Sequence, residues 1–284
     1  MMMAYIFLLG RIILLGYEKI VVKKVGTDSN SIVTSFLFFG IAVLFLLPFA
    51  IINPSFDLST LKYGILSGFI YSISFVLYVK SLSIGEASLV GPLYNFNVFF
   101  LLILTSIFLK EPFTISKIVG LSLLVYGASF LNRQENLYKS LYGLFKRKDT
   151  LFMMGSSFLI AIGRTIDGFV VGKIDSLFYC FFLYLVITIY QFFYILLRKE
   201  LKEIFKLLKE KTLLVTIAAG INAYSYMFLL IAFRSIDVSV AEPLSMLSML
   251  VTLFLAKNVF KEDIRKRIIG VIIMILGAWI LNWR

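Results

Sequence analysis

Histidine is absent from this chain, and cysteine occurs once, as Cys180. A lone thiol cannot close an intramolecular disulfide, and without histidine it lacks the usual companion for zinc binding or nucleophilic catalysis. Cys180 lies in an apolar run and reads as a small packed hydrophobe. Charge is scarce as well: 15% of residues are Asp, Glu, Lys or Arg, against about 25% in soluble domains. That leaves too little polar surface to cover a water-facing globule. Acidic residues are the scarcer sign, 16 against 28 basic ones, for a net charge of +12. In so apolar a chain the excess reads as basic cytoplasmic loops, not as a nucleic-acid-binding face. No Walker loop, GxSxG, HExxH or DxD-type cluster occurs. Enzymes that rely on those groups are excluded, and neither a metal nor a cofactor is expected.

Apolar residues, by contrast, make up 60% of the chain, and the mean hydropathy is +0.96. Residues 31–52, 87–109 and 177–197 carry no charge at all. About 20 apolar residues in a helix cross roughly 30 Å of hydrocarbon. The sequence therefore predicts an all-α integral membrane protein. Ten apolar segments can be drawn, at about 3–22, 31–52, 61–80, 87–109, 115–131, 151–172, 177–197, 212–233, 239–257 and 268–283. Met1–Leu9 lacks a basic leader and a small-residue cleavage site, so it reads as the start of a retained helix.

The two halves repeat one another. Segments four and five run ASLVGPLYNF…FLKEPFTISKIVGLSLLVYGASFLN; segments nine and ten run VSVAEPLSML…VFKEDIRKRIIGVIIMILGAWILN. Pro92 matches Pro243, and Lys110-Glu111 matches Lys261-Glu262. Gly120, Gly127, Ala128, Leu131 and Asn132 match Gly270, Gly277, Ala278, Leu281 and Asn282. Matches in this order, with a helix-interior proline among them, mark an internal repeat of five helices. Five is odd, so the second repeat enters the membrane upside down relative to the first. Inverted repeats are the architecture of secondary transporters, with substrate bound near the midplane where the repeats meet. The predicted organisation is a first repeat over 1–132, a charged linker over 133–149 and a second repeat over 150–284.

The proline segments, the Lys-Glu pairs and the G-x6-G fifth helices resemble the ten-helix EamA type of the drug/metabolite transporter superfamily, across about residues 4–283. That resemblance implies a central cavity lined by helices 1, 3, 4, 6, 8 and 9, with 2, 5, 7 and 10 more peripheral. It also implies both termini inside the cell. Charge counting points the other way. Loops after odd-numbered segments hold three (Lys19, Lys23 and Lys24), one, five, six and five basic residues, 20 in all; the opposite side holds six. The positive-inside rule then puts the termini outside.

Ionisable groups inside spans face a cavity or a partner. Segment one carries Arg11 and Glu18, two turns apart on one face; segment six carries Arg164 and Asp167, one turn apart. The flanks YEKIVVKK and IDGFVVGK align Glu18 with Asp167. Glu242 stands where the first repeat has Gly91, and each precedes its proline. Proline frees a backbone carbonyl one turn back, so Gly91, Pro92 and Pro243 mark candidate hinges. Uncharged polar stripes complete the set: Tyr71, Ser74 and Tyr78 in segment three, Asn95 in segment four, and Asn222, Ser225 and Tyr226 in segment eight. Each stripe reads either as substrate contact or as interhelical glue. Residues 135–148 and 198–211 space Leu, Ile and Phe as amphipathic helices lying on the headgroups.

These readings predict a secondary active or facilitative transporter in the plasma membrane, exporting small metabolites such as amino acids or drug-like solutes. A proton is the candidate coupling ion, carried by Asp167, Glu18 or Glu242. A nucleotide-sugar antiporter or lipid-linked sugar flippase, clamping phosphate with Arg11 and Arg164, is the alternative within transport. A non-transporting scaffold or receptor is the alternative outside it.

Overall fold

In hydrocarbon every backbone N–H and C=O must find its partner within the chain, and continuous apolar segments do this as helices. The computed structural model of the protein describes residues 2–52, 54, 57–108, 114–131, 136–170, 174–236 and 238–280. Among the described residues the first half holds α1 (Met2–Gly26), α2 (Ser31–Ile52), α3 (Leu58–Ile84), α4 (Ala87–Leu93), α5 (Phe96–Phe108) and α6 (Ile115–Ser129). A short α7 (Leu137–Lys146) follows. The second half holds α8 (Lys148–Val170), α9 (Ser176–Arg198), α10 (Leu201–Phe233), α11 (Val238–Ser245), α12 (Ser248–Phe260) and α13 (Arg265–Ile280). All ten apolar segments fall on helices. Five helical stretches are long and apolar enough to cross a membrane by themselves, and α6, α12 and the body of α13 are shorter apolar helices.

Three boundaries differ from expectation. Segments four and nine are each two helices, α4 with α5 and α11 with α12. Three-residue hydrogen bonds tighten the chain at both breaks, Asn95 N to Pro92 O at 3.1 Å and Leu247 N to Leu244 O at 3.1 Å. Each break follows the repeat proline within a few residues. The amphipathic stretch at 198–211 is not a separate helix: it runs into α10 with a kink at Lys211 (φ −134°, ψ 26°). Lys211 Nζ donates to Val25 O at 3.0 Å and Thr27 O at 2.8 Å, capping the end of α1. Finally, α1 continues to Gly26, so Lys19 lies inside the helix and is fully buried. Removing it from the loop count changes 20 against six into 19 against six, which leaves the sign of the bias unchanged. Lys110, Glu111, Asn132, Leu281 and Asn282 lie outside the described residues, as does the side chain of Pro243.

Helices pair across the halves in an exchange-symmetric way: α1 with α10 and α3 with α8, α2 with α9, and α6 with α13; α4 also packs on α12, while its counterpart α11 barely touches α5. The G-x6-G motif explains the α6–α13 pair. A Cβ on Gly127 would stand 2.7 Å from Gly270 O, and one on Gly277 2.8 Å from Gly120 O. Backbones touch at these points, as small residues permit in membranes.

Loops α1–α2, α3–α4 and α12–α13 meet α7 and the start of α10 at one end of the bundle, the linker end. There Glu262 ties the halves together. It accepts from Lys23 Nζ at 2.7 Å and from the backbone N–H groups of Ala87 at 3.0 Å and Ser88 at 2.8 Å. Arg267 Nη2 lies 2.6 Å from Glu86. Toward the opposite end, Arg234 Nη2 pairs with Asp175 at 3.1 Å within the second half.

Candidate functional site

The intramembrane charges gather in the middle of the bundle. Asp167, fully buried on α8, accepts hydrogen bonds from three tyrosines on three helices: Tyr71 Oη at 2.6 Å, Tyr226 Oη at 2.8 Å and Tyr179 Oη at 2.9 Å. Arg164 Nη1, one turn back on the same helix, stands 3.3 Å from Asp167 Oδ2, the oxygen that also accepts from Tyr71 and Tyr226. The Arg164 guanidinium also lies 2.8 Å from Glu242 Oε1 through Nε. Its carbon is 4.7 Å from the Tyr226 ring centre and 5.6 Å from that of Tyr71, within cation–π range. Glu242 Oε2 is 3.5 Å from Asn97 Nδ2 on α5, so the two broken helices meet through this carboxylate. Arg164 is thus shared between two acids, and Asp167 has a full set of donors.

Arg11 and Glu18 are arranged differently. Arg11 is 2% exposed and donates through Nη1 to Ser225 Oγ at 2.7 Å, but its Nε and Nη2 have no hydrogen-bond partner among the described residues. Glu18 accepts from Asn222 Nδ2 at 3.2 Å. Among the described residues no ion pair joins Arg11 to Glu18, although they share a face of α1. Lys19, beside Glu18, has Ser248 Oγ at 3.4 Å and the Tyr94 ring at 5.0 Å, and no carboxylate in contact. The charge count took Lys19 with the loop after segment one; it is instead packed on α1 against α4 and α12.

Arg11, Glu18, Tyr71, Arg164, Asn222 and Tyr226 line one cavity of about 40 Å³. A site of that size holds only about two or three waters, so the cavity is closed around its polar groups. Its apolar walls come from Phe39, Phe75, Tyr94, Ile160, Leu183, Tyr184 and Ile187. Phe39 lies on α2, and Leu183, Tyr184 and Ile187 on α9. Segments two and seven were expected at the periphery; they supply four of these seven wall residues. The remaining candidates lie outside the lining. Tyr78 is fully buried behind Tyr94, rings 5.4 Å apart. Ser74 bonds Ser156 O at 3.0 Å across the α3–α8 contact, which is glue. Asn95 turns back on Pro92 O at 3.5 Å. Gly91 lies against Lys19 and Thr252, and a Cβ there would meet the Thr252 methyl at 2.9 Å.

Tyr179, Tyr184 and Lys19 were not singled out from the sequence. Tyr179 and Tyr184 sit five apart in a run of Phe, Leu and Ile, with no polar neighbour to mark a stripe. Lys19 is hidden by Lys23 and Lys24, which read with it as one loop. Among the described residues, no group of acids and cysteine is placed to hold a metal ion.

Apolar helices that turn their charges inward define a multi-pass integral membrane protein. The family model described as the EamA-like transporter family matches residues 2–133 and again 148–283. The chain belongs to the EamA-like transporter family, whose members are transporters and not enzymes. A solved crystal structure of a protein superposes with a TM-score of 0.66 over 98% of this chain and 96% of its own, at 11% identity, a likeness of fold. A search of curated proteins by sequence finds no match.

Proposed function

We propose that the protein is a secondary active or facilitative transporter of the plasma membrane, with ten spans in two inverted repeats. It exports small amino-acid-like metabolites by alternating access around the midplane cavity. One observation carries this reading: Arg11 presents two unpartnered nitrogens to a cavity that also receives Glu18. A cation and an anion on one helix face, with aromatic walls between helices of both halves, suit a small zwitterion or monocarboxylate. Arg164 is engaged by Asp167 and Glu242, so a two-arginine phosphate clamp would lack its second arm. That disfavours nucleotide sugars and lipid-linked sugars. Tyr71, Asn222 and Tyr226 would shape the site, while Gly91, Pro92 and Pro243 would let the broken helices bend. Asp167 already accepts from three tyrosines and faces Arg164, whereas Glu18 accepts from Asn222 and lines the cavity, which makes Glu18 the better candidate for a coupling proton.

Counterflow in proteoliposomes, across a panel of amino acids, monocarboxylates and phosphorylated sugars, tests this. Flux of a zwitterion that Arg11→Gln abolishes supports the reading. Arg164→Gln should lower the yield of folded protein for every substrate alike. Flux of phosphorylated sugars alone would transfer the site to the antiporter class. No flux of any solute would favour the scaffold.

A further inference from the structure

We propose that the groove between α3 and α9 binds one anionic phospholipid from the leaflet at the linker end. The groove is separate from the central cavity and encloses about 740 Å³, within the range of about 300–1,000 Å³ for sites that hold small molecules. Its wall on α3 runs from Phe69 through Ile73 and Leu77 to Lys80. Eleven residues of helix rise about 16 Å, close to half of a hydrocarbon core about 30 Å thick. The apolar part is therefore as long as one leaflet is deep, and it ends where headgroups begin.

The polar end has the chemistry of a phosphate site. Lys80 has no partner for its ammonium among the described residues. Arg198 is held in place by Tyr194, whose hydroxyl oxygen accepts from Nε at 3.0 Å and Nη2 at 2.8 Å. Its remaining nitrogen, Nη1, is left for another acceptor. Ser31, 9% exposed on the same rim, has a buried hydroxyl with no hydrogen-bond partner among the described residues. One carboxylate, Glu200, shares the lining, and its Oε2 already accepts from Asn30 Nδ2 at 2.8 Å. Two cations against one anion leave the rim with a positive charge, so an anionic headgroup is preferred over a zwitterionic one. Basic residues at a membrane surface each contribute about five-fold to the binding of anionic lipid.

The test uses the full-length protein in nanodiscs and in detergent, with dioleoyl phosphatidylglycerol, phosphatidylethanolamine and phosphatidylcholine as probes. Bound lipid is read by native mass spectrometry and stability by thermal unfolding. Phosphatidylglycerol should be retained and should raise the melting temperature above the other two lipids. Lys80→Gln with Arg198→Gln should weaken that retention about 25-fold. Lys202→Gln with Lys209→Gln, which removes the same charge elsewhere at the linker end, should leave it within about two-fold. Ile73→Trp, which fills the groove and keeps the charges, should also release the lipid. Equal retention of all three lipids would overturn the proposal, as would preference for phosphatidylethanolamine or equal loss in the two charge pairs. Stabilisation by inorganic phosphate alone, matching that by phosphatidylglycerol, would overturn the lipid assignment.

Discussion

The first helix of each half carries a base and an acid, and the two helices use them differently. On α8, Arg164 and Asp167 contact each other, three tyrosine hydroxyls, the Ser67 hydroxyl and Glu242. On α1, Arg11 and Glu18 have one side-chain partner apiece, Ser225 and Asn222. A buried charge ringed by opposite charges and several donors is part of the scaffold, because removing one member strands the rest. A buried charge with few such neighbours is poised for something that arrives from outside. The repeat thus separates two tasks that one sequence pattern could have served: α8 holds the bundle and α1 addresses the cavity.

The sharpest way to break this contrast is on the α8 side. Asp167→Asn should cost about 3–5 kcal/mol of stability, since Arg164 loses half its compensation and three tyrosines lose a charged acceptor. Thermal unfolding in one detergent, beside the parent chain, measures it; a loss below about 1 kcal/mol would show that α8 is not the scaffold. Arg11→Gln comes next, with the opposite profile. Its stability should stay within about 1 kcal/mol, because an amide can still reach Ser225, while transport should fall about 10- to 100-fold from the lost charged contact. Glu18→Gln should spare stability in the same way and flatten the pH dependence of flux; an unchanged pH profile would remove Glu18 from proton coupling.

The smallest effect concerns Glu262 at the linker end. Burial alone would raise its carboxyl, but hydrogen bonds from Lys23 and Ser88 outweigh this and hold it below the ordinary glutamate range. A depressed folded value means stability that is present in full above the unfolded value, about 4.3, and lost as pH falls through the folded one. The melting temperature should therefore drop more steeply below pH 4.5 in the parent than in Glu262→Gln, by an amount equivalent to about 1 kcal/mol. Parallel pH profiles would show that the contact does not hold the halves together.

Much of this architecture can be read from the residues. Apolar length marks the segments, and the proline and glycine matches reveal the repeat, because both depend on local composition. That Arg164 and Asp167 share one helix face was legible too, but the approach of Glu242 to Arg164 was not, because it comes from another helix. Other features needed three dimensions. Tyr179 serves Asp167 from a helix whose pattern is uniformly apolar, and nothing in its own span reports that bond. The pairing of Arg11 with Ser225, instead of Glu18, depends on how α1 lies against α10, which helical spacing on α1 cannot fix. Lys19 was misread because helix ends are set by caps, here Lys211 from 186 residues away.

The contact of α6 with α13 carries a further consequence. Gly127 meets Gly270 while Gly277 meets Gly120, and these are the same two motif positions with their roles exchanged. That reciprocity is the geometry of an isologous dimer. In this respect the chain is two subunits on one polypeptide, and each half carries on its last helix the surface by which the other would recognise it if the linker were cut.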